Sequence, residues 1–68
     1  MKIYKQYDGE KETLYSKKEY SLDKAKDFFS FVKKTITDNG GSIIGESEEG
    51  FYAKSDDFTR PFTMYVKN

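Results

Sequence analysis

The chain reads as an α+β domain, one antiparallel β-sheet with a single helix packed on one face, in the order ββαβββ. Three observations predict it. Only one stretch, Ser21 to Gly41, sustains helical periodicity. Two turn signals, Asp8-Gly9 and Glu48-Glu49-Gly50, each sit between segments that read as strands. The final segment, 62–67, alternates apolar and polar residues without a break, as a half-buried strand does.

The helix is the element the strands require. Leu22, Ala25, Phe29, Val32 and Ile36 recur at the three- and four-residue steps of one buried stripe, and Phe28 widens it. Ser21 is an N-cap whose hydroxyl can accept from a free N–H of the first turn, and Asp23 suits the positive end of the dipole. Asp38-Asn39-Gly40-Gly41 supplies the stop, because Gly and Asn tolerate the left-handed conformation that closes a helix. These signals predict a helix over 22–38. Phe31 falls about 120° from the stripe, among charged residues, and is a candidate contact residue as well as an ordinary exposed aromatic.

The flanking segments are assigned as hairpins. Segments 2–7 and 10–17 are expected to pair through a two-residue Asp8-Gly9 loop, with both loop residues at positive φ. That register sets Ile3 opposite Leu14 on the inner side and Lys5 opposite Glu12. Segments 42–47 and 51–55 are expected to pair with Gly50 in a left-handed bulge position. Ile43, Gly45, Phe51 and Ala53 then face inward, while Ile44, Glu46, Tyr52 and Lys54 face outward. Residues 56–61 form a loop, and Pro61 suits the start of a strand.

Sixty-eight residues make one small domain, 1–68, near the lower size limit for folding without staples. With no Cys and no His, disulfides and the usual transition-metal sites are excluded, and so are thiol nucleophiles and imidazole bases. Stability has to come from packing, for which six Phe and six Tyr supply area. The five glycines form no phosphate-binding loop. The carboxylates at Glu46, Glu48 and Glu49, and at Asp56 and Asp57, match no cation-binding spacing and are read as solvated turns. The expectation is a non-enzymatic protein without cofactor or metal. No run is apolar enough for a membrane span, and a cytoplasmic location is expected.

Net charge is zero, with an excess of +3 in residues 1–34 and −3 in residues 35–68. This is too mild for a nucleic-acid arm. The inward assignments have a by-product: Tyr4, Tyr15, Tyr52 and Tyr65 all land on the sheet face away from the helix. Lys2, Lys17, Lys54, Lys67, Thr13 and Thr63 accompany them. A wetted face of a one-layer sheet tolerates such residues without any function. Tyrosine is also enriched where proteins dock, because it brings area at low entropic cost. The site predicted is therefore Tyr4, Tyr15, Tyr52 and Tyr65 with Lys54 and Lys67. Arg60 and Phe31 are outlying anchors, although the first role expected of Arg60 is pairing with Asp56 or Asp57, with the anchor as the alternative. The expected partner is a protein, or a second copy of this chain forming a homodimer. A single nucleic-acid strand stacked on the tyrosines is the alternative, weakened by the absent positive charge. A permanent place in a larger assembly is the third reading.

Overall fold

The computed structural model describes residues 1–55 and 60–68. Its elements are β1 (Lys2–Tyr7), β2 (Thr13–Ser16), α1 (Leu22–Asp38), β3 (Ser42–Ser47), β4 (Gly50–Lys54) and β5 (Phe62–Lys67). The strands form one antiparallel sheet in the order β2-β1-β5-β4-β3. The ββαβββ order and the single covering helix agree with the sequence. The last strand lies at the centre and joins the two hairpins.

Helix α1 begins and ends where its caps dictate. The Ser21 side chain accepts from the Lys24 N–H at 3.2 Å. At the other end Gly40, at φ 89°, turns the chain out of the helix. The Gly41 N–H donates to the Ile36 carbonyl at 2.8 Å and the Gly40 N–H to the Thr37 carbonyl at 3.2 Å. This paired closure satisfies carbonyls the last turn leaves open. The stripe is buried as its spacing requires: Ala25, Phe29 and Ile36 are in the core, with Leu22, Phe28 and Val32 packed against it. From the sheet come Ile3, Phe51, Ala53, Phe62, Met64 and Val66. Edge-to-face rings link helix and sheet, Phe29 on Phe51 at 5.7 Å and Phe51 on Phe62 at 6.1 Å. No helix among the described residues is long and apolar enough to cross a membrane.

Both hairpin registers differ from expectation: each pairing is shifted by one residue from the turn onward, and a bulge lies farther along each hairpin. In the first, only Gly9 takes positive φ, at 79°, so the two-residue turn with both φ positive does not form. A β-turn closes from the Glu10 N–H to the Tyr7 carbonyl at 3.0 Å instead, and β2 starts only at Thr13. Tyr4 therefore opposes Leu14 and Lys5 opposes Thr13, with a bulge before Ile3 meets Ser16. Parity is inverted along β2: Leu14 goes out and Thr13 goes to the helix side. Lys5 also lies on the helix side, its ammonium over the Tyr7 and Phe62 rings at 4.7 and 4.5 Å, rather than against Glu12. Lys17 falls beyond the end of β2.

In the second hairpin Ser47 opposes Gly50, Glu46 opposes Phe51 and Gly45 opposes Tyr52. A bulge at Ile44 then restores Ile43 opposite Ala53. Ile43, Phe51 and Ala53 point inward as expected, whereas Gly45 and Glu46 exchange sides. Glu46 is held on the helix side by the Lys33 ammonium. Gly50 has no positive φ. Glycine is needed there for close approach, since a Cβ would fall 2.7 Å from the Tyr65 Cα and closer still to the Met64 carbonyl.

Candidate functional site: the open sheet face

The face turned away from α1 is built by the strand registers. Tyr4 opposes Tyr65 across β1 and β5, Gln6 opposes Thr63, and Tyr52 opposes Thr63 across β4 and β5. Three of the four predicted tyrosines, Tyr4, Tyr52 and Tyr65, thus share this face, with Lys54 and Lys67. Tyr4 and Tyr65 stack at 6.1 Å with ring planes 23° apart. The Lys67 ammonium lies 4.8 Å over the Tyr4 ring.

Tyr15 is not part of this face. As the bulged residue of β2 it turns to the helix side, where its ring meets Phe28 at 6.0 Å. It remains half exposed there. Phe31 is 68% exposed on α1, away from the open face. Arg60 is on neither surface: its guanidinium meets the Asp8 carbonyl at 3.2 Å and the Glu10 carboxylate at 3.1 Å, clasping the β1–β2 turn. The expected pairing with Asp56 or Asp57 lies outside the described residues.

Two carboxylates that the sequence placed only in the first hairpin, and not in the site, organise the face. Glu12 accepts from the Tyr65 hydroxyl and pairs with the Lys67 ammonium at 2.8 Å. Asp8 accepts from the Tyr52 hydroxyl at 2.5 Å. The Asp8 bond holds the Tyr52 phenol above its ordinary pKa, with burial and the carboxylate charge adding to it. The Glu12 bond likewise raises Lys67. Lys67 has reason to reach for Glu12, because it stands directly across from Lys2. Leu14, 44% exposed beside Tyr4, is the other residue the sequence reading placed elsewhere. Its outward position depends on the late start of β2, which no turn signal marks.

The face is uneven. Over β3 and β4 it has a hollow of about 270 Å³, bordered by Tyr52, Thr63 and Tyr65 and floored at Gly45 and Gly50. Among the described residues no cluster of three or more carboxylates is placed to hold a metal ion. Chemically, the face offers aromatic area, one aliphatic knob, and charges of both signs already bonded to one another. Comparison with protein-family models, curated proteins and solved structures returned no match to this chain.

Proposed function

We propose that this is a cytoplasmic, non-enzymatic binding module that engages a protein through the open face of its sheet. The observation that carries the reading is the stacked Tyr4–Tyr65 pair, set in register at the centre of a face that no other element among the described residues covers. Tyr65 is held by Glu12, and Tyr4 is stacked on it beneath the Lys67 ammonium, so the pair has little rotamer freedom left to lose on docking, which favours its use as an anchor. The same carboxylates disfavour a nucleic-acid strand. Asp8 and Glu12 stand among the rings where phosphates would have to run, and Lys67 is already paired.

The test is affinity capture from the native host with the wild-type chain and a Tyr4→Ala/Tyr65→Ala variant, with folding checked by circular dichroism. The partner recovered by wild type is expected to be lost by the variant and kept by Phe31→Ala. A partner retained by the double variant overturns the reading. Single-stranded oligonucleotides at low salt are expected to show no measurable binding.

A further inference from the structure

Resting on that docking face, we propose that the partner it fits is a second copy of the same chain, packed sheet to sheet about a twofold axis running along β5. The argument is one of shape, charge and area. The registers place Leu14, Tyr4, Tyr65, Gly50 and Ser47 in one row across the five strands. This row is bulky on β2, β1 and β5 and nearly bare on β4 and β3. Because β5 is the central strand, rotation about it exchanges the two halves. Leu14 and Tyr4 of one copy then descend over Ser47 and Gly50 of the other, at the 270 Å³ hollow, and the reverse contact forms by symmetry. Tyr65 meets its own counterpart at the axis.

Charge follows the same exchange. Lys2 stands one outward position before Tyr4, at the end of the sheet where the Glu48–Glu49 turn precedes Gly50. Lys54 lies one outward position beyond Tyr52, at the end where Asp8 follows Gln6. The rotation sets Lys2 over the Glu48–Glu49 turn and Lys54 over Asp8 of the second copy. A flat or uniformly charged face would oppose itself about this axis; this one complements itself.

Five strands at about 4.8 Å spacing and about six residues long give a plan area on the order of 500 Å² per copy, with sheets aligned within about 30°. That footprint sits toward the lower end of specific interfaces, so a reversible dimer is expected rather than an obligate one.

Sedimentation equilibrium of the full chain from micromolar to millimolar concentration tests this. The average mass is expected to rise from 8.0 kDa toward twice that value. Leu14→Asp removes the knob. Gly45→Leu fills the hollow, and the fold should accept it, because a Cβ there meets only the Tyr52 Cβ at 3.9 Å. Each is expected to weaken association at least about tenfold, with thermal unfolding of the dilute monomer retained as the folding control. A strict monomer at millimolar concentration overturns the inference, as does a dimer indifferent to both substitutions. Neither result bears on a foreign partner, which the capture experiment with Tyr4→Ala/Tyr65→Ala decides separately.

Discussion

The Tyr52 hydroxyl on β4 donates to the Asp8 carboxylate beyond β1 at 2.5 Å, spanning 44 residues of sequence and reaching across β5. The bond fastens the second hairpin to the first on the open face. It also gives Tyr52 a raised phenol pKa, caused first by this bond. A raised value in the folded state means the stabilisation is fully present below the unfolded phenol value and disappears as pH climbs through the folded one. Lys67, raised by Glu12, shifts in the same direction. Stability contributed by both is therefore lost on the alkaline side. In a spectrophotometric titration Tyr52→Phe should remove a phenol that ionises above the ordinary range. Asp8→Asn should return it to the ordinary range. A titration unchanged by Asp8→Asn would show that the bond does not persist in solution.

Phe29 is the ring that joins helix to sheet, in contact with both Phe28 and Phe51. Phe29→Ala removes a buried aromatic from a small core, and a loss of about 3–5 kcal/mol is expected from urea unfolding. For a domain of this size that is a large share of the total, so the variant should be partly unfolded at room temperature.

Gly45 and Gly50 both lie in the second hairpin, yet they should respond oppositely to a methyl group. Gly50→Ala drives a Cβ against the β5 backbone and should cost about 1–3 kcal/mol or prevent folding. Gly45→Ala meets open space beside Tyr52 and should change stability by no more than about 0.5 kcal/mol. Equal thermal shifts in the two variants would contradict the close approach of β4 to β5.

Phe31 and Phe28 are three residues apart on α1 but differ in what they touch. Phe28 packs with Tyr15, Tyr20 and Phe29, whereas Phe31 is largely exposed. Phe31→Ser should leave the unfolding midpoint nearly unchanged, within about 0.5 kcal/mol, and Phe28→Ala should lower it clearly. Comparable losses would mean that Phe31 is covered.

The sequence made the elements and most of the core legible, because those are encoded locally. Ser21, Gly40 and the stripe from Leu22 to Ile36 define α1 at both ends, and alternation alone orients Phe62 through Lys67 correctly. Parity in the hairpins was less legible. It depends on two bulges, at Tyr15 and Ile44, and a bulge adds one residue without any required residue type. With Leu14 outward, Tyr15 falls to the helix side, and the two-residue closure at Glu48-Glu49 brings Glu46 to Lys33. Leu14 went outward because β2 begins late. Strand order was also hidden, since nothing local in 62–67 says that it enters between β1 and β4. With the order unknown, the bonds from Asp8 to Tyr52 and from Glu12 to Tyr65 could not be foreseen.

The central position of β5 has a consequence for synthesis. A nascent chain halted before Phe62 would own two hairpins with no backbone ladder between them. Without that strand the backbone ladders of the two hairpins are unconnected, so the domain should become resistant to protease only once Phe62 through Lys67 have cleared the ribosome. Such all-at-once consolidation follows from making the keystone a segment that comes after both hairpins.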